Sequence, residues 1–267
     1  MPILIYIDIF FFGLVLGSFL NTVIYRLRFN EDFITGRSHC PQCGHTLAWY
    51  DLIPVVSFFM VGGKCRYCRK PISWQYPLVE LLTGILFLAI FSLNIDIFFT
   101  FLLFGVLKIS YLFFVVSSLI IIAVYDLKYR IIPNKVIYSL IGGVSFWYFV
   151  SSFFFKTYDL TEVLNFVIIG FYSSLFFWVV NLLTDGKGMG MGDVKLAFFM
   201  GLFLGYPSVL IALFLSFFLG SIVGVTLIFL KKKEFKSEVP FAPFLVTGTF
   251  LMMFFNQWFL SFNLFSF

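Results

Sequence analysis

Eight long apolar runs limit this chain to one kind of fold. They lie at roughly 3–25, 78–94, 101–125, 135–155, 163–183, 194–206, 207–230 and 240–262. A helix needs about 20 apolar residues to cross a hydrocarbon core about 30 Å thick. Backbone inside that core must satisfy its own hydrogen bonds, which favours helices. The chain is therefore predicted to be an all-α polytopic membrane protein with about eight transmembrane helices. Composition agrees, with 12% of the 267 residues charged and 61% hydrophobic, whereas soluble domains carry about 25% charged residues. The first run lacks the basic start of a signal peptide and continues to the length of a full span. Lys108 interrupts the third run and predicts a helix starting nearer Ile109. The sixth run, Val194 to Tyr206, is short and stops at Pro207, where the chain turns.

The basic residues orient these segments. With both termini outside, the inner loops are 26–77, 126–135, 184–195 and 231–239. They hold all of the 18 Lys and Arg residues except Lys108 and Lys156. Such a bias marks the loops as cytoplasmic. Topology and attraction to anionic membrane lipids then account for the net charge of +5, and no nucleic-acid partner is needed. Three parts are expected: a first transmembrane helix (1–25), a cytoplasmic loop (26–77) and a membrane core of about seven helices (78–267).

Loop 26–77 contains every cysteine of the chain, as Cys40-Pro41-Gln42-Cys43-Gly44 and Cys65-Arg66-Tyr67-Cys68. Two CxxC knuckles can present four thiolates tetrahedrally to zinc, at a spacing just beyond the usual zinc-ribbon range. The alternative is a pair of disulfides, which a reducing cytoplasmic loop disfavours. Four cysteines leave no open coordination position, so the zinc would be structural. His39 and His45 flank the first knuckle and are read as bystanders.

Among the acids, Asp126 and Asp193 stand out, because each abuts an apolar run directly. Ionisable residues at such a boundary are functional candidates. Asp193 follows Gly188-Met189-Gly190-Met191-Gly192, whose glycines let backbone or substrate approach closely. Glu80 heads the second segment, where the helix dipole already favours a carboxylate. Asp185 reads as solvated, Asp96, Asp159 and Glu162 as outer-turn residues, and Asp8 as interfacial. Two neighbouring carboxylates share a proton, so one can take a proton from water while the other polarises a peptide carbonyl. That is aspartic-protease chemistry. Paired membrane acids also serve proton-coupled transporters, but those place acids near the midplane and show internal repeats. No repeat is visible here, and both acids lie at one face. The short sixth segment further predicts that Asp193 is recessed on the order of 10 Å from the near interface.

Six stretches together resemble the bacterial prepilin peptidases (type IV leader peptidases), membrane aspartyl proteases of the GxGD class. They are Gly17-Ser18-Phe19-Leu20-Asn21-Thr22-Val23-Ile24-Tyr25-Arg26, the two cysteine knuckles, Tyr76-Pro77-Leu78-Val79-Glu80-Leu81-Leu82-Thr83, and Asp126-Leu127-Lys128-Tyr129-Arg130-Ile131-Ile132-Pro133-Asn134. Gly190-Met191-Gly192-Asp193-Val194-Lys195 and Val239-Pro240-Phe241-Ala242-Pro243-Phe244 complete the series. The resemblance implies a catalytic pair, Asp126 and Asp193, and zinc on Cys40, Cys43, Cys65 and Cys68. It marks Gly190, Gly192, Lys195 and Glu80 as candidates for substrate binding or site geometry. It implies a multi-pass protein of the bacterial inner membrane whose active site faces the cytoplasm and removes basic leader peptides from pilin-like precursors. Many members also methylate the new N-terminus with S-adenosylmethionine. The competing enzyme reading is a related intramembrane protease with other substrates, which would not be expected to carry the cysteine loop. Gly17, Ser18 and Asn21 read as a small-residue packing face with one interhelical hydrogen bond.

Overall fold

The computed structural model describes residues 2–29, 31–32, 36–186, 188–230 and 239–261. Lys187, Lys231, Lys232, Lys233, Glu234, Lys236 and Glu238, assigned above to inner loops, lie outside the described residues. The chain forms two compact units, Met1–Ile121 and Ile122–Phe267. Among the described residues there is no strand, only the isolated bridges His39 to Thr46 and Lys64 to Pro71.

The first unit contains α1 (Pro2–Phe29), the cysteine insertion with its short helix α2 (Val56–Met60), α3 (Gln75–Leu93), α4 (Ile95–Thr100) and the first part of α5 (Leu102–Tyr129). Helices α1 and α3 pack antiparallel, almost backbone to backbone. A Cβ added at Gly13 would lie 2.7 Å from the Gly84 Cα, and one at Gly17 would lie 2.6 Å from the Glu80 Cα. One turn further, Asn21 Nδ2 donates to the Tyr76 carbonyl at 3.1 Å. Glycines four apart open the groove, and the amide then fixes the register. The small-residue face read from the sequence is this contact. Deeper in the unit, Phe87 stacks on Phe113 with ring centroids 3.8 Å apart.

The second unit holds the end of α5, then α6 (Asn134–Phe155), α7 (Leu160–Leu183), α8 (Met191–Leu204), α9 (Ser208–Phe229) and α10 (Ala242–Ser261). Asp159 and Glu162 form a capping box at the start of α7, with the Asp159 N–H donating to Glu162 Oε2 at 2.9 Å. Helices α7 and α8 meet at glycines: a Cβ on Gly201 would lie 2.7 Å from both the Gly170 Cα and the Ile169 carbonyl oxygen. Gly201→Val is therefore expected to force α7 and α8 apart at a cost of about 1–3 kcal/mol. The check is a lower melting temperature in detergent, with Gly142→Ala as the neutral comparison, since nothing lies within 4 Å of a Cβ there.

Among the described residues, six helices are long and apolar enough to cross a membrane: α1, α3, α5, α6, α7 and α9. The short α8 and the apolar stretch Ala242–Asn256 of α10, which is kinked at Phe255, complete the eight predicted segments. Two boundaries differ from expectation. Helix α5 begins at Leu102, so Lys108 lies within it; a lysine stem can lie along apolar surface while its ammonium reaches outward. Helix α8 begins at Met191, which places Gly192 and Asp193 in its first turn.

Candidate functional site

In the insertion the two cysteine knuckles are copies of one turn. The Gly44 N–H donates to the Cys40 carbonyl at 2.9 Å and the Cys40 N–H to the His45 carbonyl at 3.0 Å. In the second knuckle Arg69 donates to Cys65 and Cys65 to Lys70, both at 2.9 Å. The residue after each second cysteine has left-handed backbone, φ +70° at Gly44 and +61° at Arg69. The four Sγ atoms lie within 4.8 Å of one another, Cys40 and Cys68 at 4.0 Å. Bonds of about 2.3 Å to one tetrahedral ion place sulfurs about 3.8 Å apart, so a slight contraction suffices. The backbone N–H of Cys68 is the main influence drawing the Cys65 thiol down to about 7. Against the lowering backbone N–H of Lys70, desolvation and the neighbouring thiols push Cys68 up to about 11, so Cys65 is the one most readily present as thiolate. The donor set fits one metal ion.

Two buried charged side chains fasten the insertion to its helices. The Arg26 guanidinium donates to the carbonyls of Asp32 (2.8 Å), Gly36 (3.0 Å) and Arg37 (3.3 Å). Glu80 Oε2 accepts the Val55 N–H at 2.7 Å. Glu80 thus belongs to the first unit, where it anchors the insertion.

The second unit brings Asp126 and Asp193 together. Asp126 lies one turn before the end of α5, 6% exposed, and its Oδ2 accepts the Ala242 N–H at 3.2 Å, at the first residue of α10. Asp193 lies in the first turn of α8, and its Oδ2 accepts the Gly190 N–H at 3.2 Å. Each carboxylate is therefore held by a helix N-terminus, whose free amides and dipole favour negative charge. The Asp126 carboxylate also acts electrostatically on Asp193. Helix capping alone would explain one such aspartate. It does not account for two of them within electrostatic reach of each other.

The glycine run before Asp193 is pinned to the end of α7. Asn181 Nδ2 donates to the Met189 carbonyl at 2.5 Å, and the Gly188 N–H donates to the Thr184 hydroxyl at 3.0 Å. Gly192 is needed for close approach, because a Cβ there would lie 2.9 Å from the Ile132 Cβ. Lys195 turns to α6: its Nζ donates to Asn134 Oδ1 at 2.7 Å and lies 4.8 Å over the Tyr138 ring. Among the described residues, no hydrogen bond ties Asp185 to the pair; it sits in the turn after α7 with φ +48°. Sequence reasoning did not single out Ala242, Asn181, Thr184, Ile132 or Asn134 individually. Their one visible signal was position, inside or beside the motif stretches.

Two family models match the chain, one on either side of residues 94–112. Residues 11–93 match the family model described as the Bacterial Peptidase A24 N-terminal domain, and residues 113–225 match the Type IV leader peptidase family. A prepilin leader peptidase/N-methyltransferase of Bacillus subtilis is 31% identical over 266 residues, spanning 95% of this chain and 96% of its own. The protein of that name from Aeromonas hydrophila is 30% identical, with 98% and 96% covered. The one from Pseudomonas aeruginosa is 27% identical, with 90% and 87% covered. No solved structure matches.

Proposed function

Because the chain belongs to the type IV leader peptidase family, we infer that it is a prepilin leader peptidase and N-methyltransferase. It removes the leader from pilin-like precursors and methylates the N-terminus so exposed. The observation that carries this reading is the near-full-length likeness to a relative of that double name, 96% of which is covered. The likeness takes in both the cysteine insertion and the stretch bearing the two aspartates.

Asp126 and Asp193 are the residues assigned to cleavage. With one proton between them, the ionised carboxylate takes a proton from water as its oxygen adds to the scissile carbonyl carbon. The protonated partner gives its proton to the carbonyl oxygen. As the resulting gem-diol collapses, one hydroxyl returns its proton to the partner that gave it, the C–N bond breaks, and the proton taken from water passes to the leaving amine. The helix N-termini at Gly190 and Ala242 orient the two carboxylates for this exchange. Gly190 leaves room for an extended peptide beside Asp193, whereas Gly192 serves the site's geometry by admitting Ile132. Cys40, Cys43, Cys65 and Cys68 would hold zinc, which would order the insertion and leave no coordination position for substrate. S-adenosylmethionine, when bound, would supply the methyl group. No residue is assigned to it, because no glycine-rich loop follows a strand among the described residues.

The basic loops support an active site on the cytoplasmic side of the inner membrane, where a precursor presents its basic leader ahead of a hydrophobic helix. Lys195 is a positioning residue here, tying the first turn of α8 to α6. Lys195→Met is expected to lower kcat about tenfold with KM little changed, since small misplacement of a catalytic group is costly. Steady-state kinetics that leave kcat unchanged would remove Lys195 from the site. The overall reading is tested with purified protein, a leader-bearing precursor and S-adenosylmethionine, followed by mass spectrometry. Loss of the leader and gain of one methyl group are expected without any ion gradient. An intact precursor would overturn the assignment.

A further inference from the structure

The cysteine insertion carries an apolar face that its own unit leaves uncovered. Trp49, Val56, Phe59, Met60 and Trp74 are all exposed, Trp49 by 77% and Met60 by 74%. Clustered apolar exposure of this kind marks a docking surface. What docks there follows from depth. The Val55 N–H, at the start of α2, bonds the Glu80 carboxylate at 2.7 Å. Glu80 lies more than one turn inside α3, whose first residue is Gln75, or about 8 Å along the helix axis. Since α3 is long and apolar enough to span, α2 starts alongside its second turn and does not stand clear of the membrane.

Trp74, immediately before α3, packs on Phe58 at 4.9 Å and on Phe59 at 6.2 Å between ring centroids. Trp74, Leu78 and Leu82 recur at four-residue spacing, on one face of α3, and all three are exposed. In a spanning helix, acyl chains cover such a face, so α2 abuts a lipid-facing surface. Tryptophan is enriched at this interfacial level. The insertion's charge also suits lipid headgroups: Lys64, Arg69 and Lys70 are exposed, while its Asp51 is already paired with Arg66 at 2.9 Å.

We propose that the α2 face of the insertion seats in the headgroup–acyl boundary of an anionic lipid surface, so that the metal module rests on the membrane. Apolar residues flanked by basic ones bind this boundary by area burial together with attraction to anionic lipid. The lipid surface then helps fix the module's position beside α3, independently of which substrate the protein cuts.

The test uses the full chain in phosphatidylglycerol-rich vesicles, with tryptophan emission compared between the wild type and a Trp49→Phe/Trp74→Phe variant. The difference spectrum is expected to be blue-shifted, quenched by lipid brominated near the top of the acyl chain, and little affected by aqueous iodide. Phe59→Asp/Met60→Asp should reduce that quenching by about twofold or more while metal content is retained. Pure phosphatidylcholine vesicles should weaken it as well. Difference emission that iodide quenches and brominated lipid does not would overturn the proposal. So would quenching unchanged by the α2 substitutions in metal-loaded protein. A blue shift that appears only on adding a precursor, or only at high protein-to-lipid ratio, would give the face to that partner or to a second copy, and would likewise overturn it.

Discussion

Asp126→Asn and Asp193→Asn are each expected to lower leader cleavage by about three orders of magnitude or more, with expression and membrane insertion unchanged. Asparagine can still accept the Ala242 or Gly190 N–H through its carbonyl oxygen, so the helix starts keep their caps. What is lost is the shared proton, and a positioned general acid or base is worth about 10²–10⁴ in rate. Because the two groups act as a unit, the double variant should be about as inactive as either single one. Asp185→Asn is the comparison: it sits in the turn after α7 at φ +48°, a conformation that asparagine adopts readily. Cleavage assays by mass spectrometry read all four variants. Activity surviving in Asp193→Asn but lost in Asp185→Asn would show the wrong acid had been assigned.

Why these acids were legible, while their neighbours were not, is a matter of desolvation. A carboxylate against an apolar run is costly wherever it ends up, so Asp126 and Asp193 were visible in the sequence without any contact being known. Partners that contribute a backbone N–H carry no such mark. Ala242 meets Asp126 from a distant stretch of chain, and nothing in an alanine predicts that. Glu80 was less marked, since a helix N-terminus already favours a carboxylate there, and its contact with the Val55 N–H in the insertion was equally invisible in the sequence.

The helix count was legible because hydrocarbon thickness sets helix length, but ends depend on tertiary support. Lys108 was expected to break α5 and instead lies within it. Counted from Leu102, Asp126 is then about 36 Å along the helix, so helix length gives Asp126 no recess. For Asp193 the argument rests on α8 alone, whose 14 residues span about 21 Å against a core of about 30 Å. Likewise, Gly192 was expected to lie in the loop before a segment beginning at Val194. It is helical, and its missing side chain admits Ile132.

Removing the metal should separate the protein's two activities. Zinc binding and folding are coupled in small knuckles, so Cys40→Ser should reduce zinc to less than about half an ion per chain and expose the insertion to proteolysis. Protons compete for the thiolates, so metal loss to a chelator should quicken as pH falls. The cysteines lie within Met1–Ile121 and the aspartates within Ile122–Phe267, two separately compact units. The contacts that hold the pair, Ala242 on Asp126 and Gly190 on Asp193, lie wholly in the second. Cleavage by Cys40→Ser should therefore fall by about tenfold at most, well short of the loss of about 10³ expected of either aspartate change. Methyl transfer should suffer more if the insertion serves that step, and the two products can be read from one mass spectrum. Elemental analysis finding little zinc in fresh wild-type protein would refute the metal assignment. Cleavage as dead in Cys40→Ser as in Asp193→Asn would show instead that the insertion is part of the cutting machinery.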